Sequence, residues 1–127
     1  MYNTTLMHRV VHNPSMDDIA FSEYLRDSRL VFKVIGSIDD YSIGQFQARL
    51  LDAAKRSTGL LILDLSFVPF MCSEGFGIMI NTQKSLLDSG RSMALVGCQK
   101  SVKSALELTR IDMLLPCYPS IYEIPQA

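Results

Sequence analysis

The sequence predicts an α/β domain: a mixed, mostly parallel sheet of about four or five strands, opened by an N-terminal antiparallel hairpin, with helices packed on it. Three observations carry this reading. Leu60–Leu65 (LLILDL) is a nearly unbroken apolar run of strand length, which suits a strand buried on both faces. Helix-like and strand-like segments alternate from Ser42 towards the C-terminus. Two β-rich segments also stand either side of the polar turn Arg26-Asp-Ser-Arg29, as in a hairpin.

Residues 1–18 are polar and irregular, with Pro14 as a breaker, and are expected to form a partly ordered N-terminal extension. Residues 19–127 then form the domain. Ile19–Leu25 is expected as an edge strand and Leu30–Ile35, β-branched and aromatic, as its partner, stopped by Gly36. Ser42 opens the first helix, and Gln45 three residues on completes a capping-box pattern. Ile43, Phe46, Leu50, Leu51 and Ala54 recur on one helical face, and Lys55-Arg56 before Gly59 make a cationic end and a stop. After the Leu60–Leu65 strand, a second helix begins near Ser73, with Phe76, Met79, Ile80, Leu86 and Leu87 on one side, and ends before Gly90. Ser92–Val96 is the next strand. Gln99–Thr109 is a third helix with Val102, Ala105, Leu106 and Thr109 along one face. Leu114–Tyr118 is a last short strand and Ile121–Pro125 a terminal turn.

Bulk properties narrow the function. With 127 residues, 48% hydrophobic and 20% charged, the chain is long and apolar enough for one ordinary core. A net charge of −1, with Lys and Arg scattered, argues against nucleic-acid binding. No apolar run reaches the ~18 residues of a membrane span, and the N-terminus lacks the apolar core of a secretory signal. A cytoplasmic domain without direct membrane insertion is expected, monomeric or weakly dimeric. Cys72, Cys98 and Cys117 show neither CxxC spacing nor a cluster with His8 or His12, so no metal site is expected, and an odd count suits reduced thiols. Cys98 and Cys117 are read as small core or rim residues. No phosphate-loop, dinucleotide, GxSxG or HExxH motif is present, so neither an enzyme nor a cofactor is expected.

The candidate site is the segment Phe70-Met-Cys-Ser-Glu-Gly-Phe-Gly77. A helix N-terminus presents unpaired N–H groups and the positive end of the dipole, and Ser73 and Glu74 stand where that field is strongest. Both residue types also suit a helix start for stability alone: Glu contributes ~0.3–1 kcal/mol there, and Ser as N-cap ~1 kcal/mol over Ala. On that reading the Ser73 hydroxyl is occupied in capping. The helix dipole favours a Cys72 thiolate but the neighbouring Glu74 opposes it, so redox sensing by Cys72 is not expected.

From about Ile19 onward the chain resembles a STAS domain of the anti-sigma-factor-antagonist type. The marks are Gly36-Ser-Ile-Asp39, Leu63-Asp-Leu-Ser-Phe-Val68 with Phe70, Ser73-Glu-Gly75 with Gly77, Gly90, and Val102–Ile111 (VKSALELTRI), in that order and spacing. The resemblance implies a non-enzymatic switch that binds an anti-sigma factor with serine protein kinase activity. In such domains the motif Asp-Ser-Ser/Thr-Gly carries the phosphate on the hydroxyl residue before Gly, and phosphorylation weakens partner binding. Here the motif Asp falls on Cys72, its first Ser on Ser73, its acceptor on Glu74, and Gly75 matches. Asp39 falls on an acidic position that the family fold brings near the acceptor.

Phosphoserine carries about −1.5 to −2 charges and three acceptor oxygens, against one charge and two oxygens for Glu. Glu74 is therefore an incomplete, permanent mimic of the phosphorylated state. Three consequences stand open: a switch locked at low affinity, a partner with a basic patch that accepts Glu74, or phosphorylation moved to Ser73. The expected partner-binding loop comprises Asp39, Met71, Cys72, Ser73, Glu74, Gly75 and Phe76, with no catalytic residue. Met79, with Met71, is a further candidate for the contact surface. The alternatives are a STAS adaptor subunit of a stress-sensing or transport complex, and a nucleotide- or small-anion-binding module, which Glu74 disfavours by placing negative charge in the same field.

Overall fold

Residues 9–12 and 19–126 are described in a computed structural model, and among them six strands form one sheet whose spatial order is their order in sequence. They are β1 (Arg9–His12), β2 (Ala20–Arg26), β3 (Arg29–Ile35), β4 (Leu60–Phe67), β5 (Ser92–Val96) and β6 (Cys117–Tyr118). The β1–β2 and β2–β3 pairs are antiparallel, and β3, β4, β5 and β6 are parallel. Three helices connect the parallel strands: α1 (Ile43–Arg56), α2 (Ser73–Asp88) and α3 (Lys100–Leu108). Among the described residues no helix is long and apolar enough to cross a membrane.

The β2–β3 hairpin closes tighter than the four polar residues suggest. Arg26 pairs with Arg29, leaving Asp27 and Ser28 as a two-residue loop with φ of 52° and 66°. Two consecutive positive φ values match the right-handed twist of the flanking strands. β2 is not the edge expected of it, because β1 pairs along it from Ala20 to Glu23. β1 lies within the segment expected as an extension; residues 1–8 and 13–18, including His8 and Pro14, lie outside the described residues.

Parallel strands added successively in one direction through right-handed crossovers place all their helices on one face. The packing follows. Phe21, Phe32, Leu61, Leu63, Leu65, Met93 and Leu95 of the sheet meet Phe46 and Leu50 of α1, Met79 and Leu86 of α2, and Val102 and Leu106 of α3. Alternation in β4 sends Ile62 to the other face, where it joins Val31, Val96 and Ile124. β4 is thus buried on both faces as its composition predicts. The second cover is the C-terminal segment, with its 3-10 turn Ile121–Glu123, and not another helix layer.

Two polar side chains tie the layers together. Gln83 of α2, 2% exposed, donates to the carbonyls of Met93 (3.1 Å) and Leu114 (2.9 Å) and accepts from the Met93 N–H (2.8 Å). At the end of α1, Arg56 bonds the buried Glu23 of β2 at 2.8 Å, so one of the cations expected merely to end the helix also neutralises an acid within the sheet.

Candidate functional site

The loops leaving β3 and β4 run side by side at the carboxyl end of the parallel strands, the usual place for a site in such a sheet. Gly36 N–H donates to Phe67 O (2.9 Å), Ile38 N–H to Phe70 O (2.9 Å) and Cys72 N–H to Ile38 O (2.8 Å), with a parallel bridge between Ile38 and Met71. These bonds keep the chain extended as far as Cys72 (φ −73°, ψ 165°), which is the N-cap of α2 and makes no side-chain cap bond. Ser73 and Glu74 therefore occupy the first and second helical positions, one residue further in than the spacing suggests. The Ser73 hydroxyl is exposed and makes no hydrogen bond among the described residues, so it is not the cap expected of it. Glu74 is exposed in the first turn of α2.

The capping box expected at Ser42 and Gln45 does not form. The Ser42 side chain makes no cap bond into α1; its hydroxyl accepts from Asp39 N–H (2.9 Å) and donates to Ser37 O (2.8 Å). Asp39 caps the turn instead, its carboxylate accepting from the N–H groups of Tyr41 (2.9 Å) and Ser42 (3.1 Å). This competing turn, a habit of Asp and Ser, is what the spacing alone concealed. Its neighbour Asp40 is the acid whose carboxylate stands with the Glu74 carboxylate and the Cys72 thiol, ligand atoms all within 4.8 Å of one another. Two exposed acids and a thiol fall well short of the six or more oxygens a calcium-type cage needs.

Met71 and Gly75 set the loop rather than face outward. Met71 is 6% exposed, and Met79 is fully buried, so neither offers the contact surface considered for it. A Cβ on Gly75 would lie 2.5 Å from Met71 Cγ and 3.3 Å from Ile38 Cγ2. Gly75 is thus needed for the close approach of α2 to the paired loops. Gly75→Ala is expected to cost about 1–3 kcal/mol by overpacking, read as a lower urea midpoint.

The loops leaving β3 and β4 also carry exposed aromatic rings. Phe67 and Phe70 are about half exposed (54% and 50%) and Tyr41 is 80% exposed. Phe70, Met71 and Phe76 also line a groove of about 120 Å³ with Ser101, Val102 and Ala105 of α3. α3 is fastened to the site by Ser101 Oγ, which donates to Pro69 O (2.9 Å), and by Gln99 Nε2, which donates to Ser66 O (3.1 Å). Sequence reasoning missed this wall, because Ser101 and Gln99 meet the loop only through contacts 32 and 33 residues apart.

Comparisons with known proteins agree on the fold. The family model of the STAS domain matches residues 21–124. The fold superposes on an anti-sigma factor antagonist from Mycobacterium paratuberculosis with a TM-score of 0.78 and 25% identity, covering 86% of this chain and 92% of that one. It also superposes on the unphosphorylated form of the antagonist SpoIIAA of Bacillus (TM-score 0.63, 16% identity, 76% and 86% covered). A sulfate transporter family protein from Wolinella succinogenes shares the fold as well (TM-score 0.59, 18% identity, 72% and 77% covered).

Proposed function

The chain belongs to the STAS domain family, and on that premise we propose that it is a non-enzymatic, cytoplasmic partner-switching regulator of the anti-sigma-factor-antagonist type. Its partner is an anti-sigma factor with serine kinase activity, and its docking surface is the start of α2 with the flanking loops. Glu74 holds the position where the family carries its phosphate-accepting hydroxyl. The observation that carries this reading is the exposure of Ser73 and Glu74 together at a helix start whose backbone is locked by its neighbours. A rigid, exposed element next to apolar surface suits recognition by shape and charge, since little ordering entropy is lost on docking. The similarity to the Mycobacterium antagonist supports the partner class.

Parallel pull-downs from lysate of the source cells, with wild type and Glu74→Ser as baits, test the proposal. Capture of an ATP-binding kinase or anti-sigma factor by Glu74→Ser, and barely by wild type, identifies a switch held off by its own carboxylate. Equal capture of that protein by both baits keeps the partner class and makes Glu74 a structural residue. Capture of transport or sensor subunits by both overturns the sigma-regulation reading in favour of an adaptor.

A further inference from the structure

Two cysteines that the sequence separates by 19 positions meet at the far side of α3. β5 is followed by Gly97, whose φ of +71° turns the chain sharply, and whose N–H donates to Tyr118 O at 3.0 Å. The parallel register sets Leu95 opposite Cys117. Together the turn and the register bring the Cys117 and Cys98 sulfurs to 3.0 Å, both residues half-buried and with free thiols. Both pack at the margin of the core, as expected of small core or rim residues; that they meet depends on a strand register that linear spacing does not display.

We propose that Cys98 and Cys117 are a redox modification site, forming a reversible intramolecular disulfide that clamps α3 between β5 and β6. The sulfurs need to close by only about 1 Å to reach disulfide bonding distance. The electrostatics divide the labour. The Cys98 thiol, the Cys98 backbone N–H and the Lys103 ammonium all favour a thiolate on Cys117 and hold its pKa below the ordinary thiol value; burial and Glu107 oppose them. Cys98, through its hydrogen bond with Cys117 and its burial, is pushed up and keeps its proton. Cys117 also lines a surface cavity of about 290 Å³ shared with Lys103, Glu107 and Asp112, through which a small oxidant can approach.

The oxidant is a hydroperoxide. The Cys117 thiolate attacks its distal oxygen, an S–O bond forms, the O–O bond breaks, and the departing oxygen leaves as water or an alcohol after taking a proton. The Cys98 sulfur then attacks the sulfenic Cys117. The S–S bond forms, the S–O bond breaks, and the hydroxide leaves as water with the Cys98 proton. A dithiol reverses the change by two exchange steps. Because α3 forms one wall of the groove next to Phe70 and Phe76, the closed clamp fixes that wall.

The test treats the full chain with a stoichiometric amount of hydrogen peroxide, alkylates the remaining thiols, and maps peptides without reduction. The expected result is a Cys98–Cys117 cross-link with loss of two hydrogen atoms, an alkylated Cys72, full reversal by dithiothreitol, and a Tm raised by roughly 5–10 °C. Cys72→Ser should leave the cross-link unchanged, and Cys98→Ser should stop the reaction at a trappable sulfenic acid on Cys117. A link through Cys72, an intermolecular dimer, or oxidation of Cys117 without a cross-link overturns the proposal. The wild-type map alone decides if Cys98→Ser does not fold.

Discussion

Gln83→Leu is expected to lower the stability of the domain by about 3–5 kcal/mol, since each buried backbone group left without a partner costs about 1–3 kcal/mol. Three such groups depend on this one side chain: the N–H and C=O of Met93 and the C=O of Leu114. β4 pairs with β5 from Ser92 to Val96, but β6 pairs only with Leu95 and Val96, so Met93 has no strand on its other side. The Gln83 amide, with one donor and one acceptor facing Met93, takes the place of the missing strand. Leucine fills a similar volume and keeps the apolar contacts, which isolates the polar contribution. Urea denaturation measures it: the midpoint should fall with the m-value unchanged. A loss below about 1 kcal/mol would mean that the backbone groups find other partners when the amide is removed.

Glu74→Ser should turn a chain that accepts no phosphate at this position into a kinase substrate, and strengthen binding to the unmodified partner by about 10–100-fold. That range corresponds to relieving the desolvation of one carboxylate that docking leaves unpaired, about 1–3 kcal/mol. The substitution exchanges a fixed charge for a hydroxyl at the second position of α2, where Glu74 contributes only ~0.3–1 kcal/mol to the helix, so the fold should survive it. Binding to the purified kinase partner, followed by ATP and phosphopeptide mapping, separates the possibilities. Label on position 74 of the variant, retained when Ser73→Ala is added, supports replacement of the acceptor. Label on Ser73 in the wild type shows instead that the switch has moved one residue back. Unchanged affinity with no label in either chain would remove the phosphate-mimic reading.

The elements that the sequence displayed are those held by local pattern. The Leu60–Leu65 run became β4, Ser92–Val96 became β5, and the 3.6-residue repeats became α1, α2 and α3 within a residue or two at their starts. What stayed hidden was decided across the fold. Gln83 sits on a helix face with buried Met79 and Leu86, and nothing local reveals that the polar residue among them completes a strand edge. Ser42 has good capping chemistry, but its hydroxyl is engaged in the preceding turn by Asp39 N–H and Ser37 O. At the candidate site the motif order located the helix start. The geometry then separated roles that spacing had merged: Met71 and Gly75 build the loop, Asp39 holds its own turn, and Ser73, Glu74 and Asp40 face solvent.

Because each strand lies beside the one that precedes it in the chain, the sheet can be assembled in the order of synthesis. Every new β-α unit leaving a ribosome finds its docking edge already made, and no strand has to be inserted between two that have closed. The growing edge is the exposed hazard of such a pathway. Here the last long edge, that of β5, is covered at Met93 by an amide from α2, a helix translated before β5 itself. A nascent chain stopped short of Cys117 would thus present a shortened edge to its neighbours, and self-association on the ribosome or after truncation is limited by Gln83 before β6 exists.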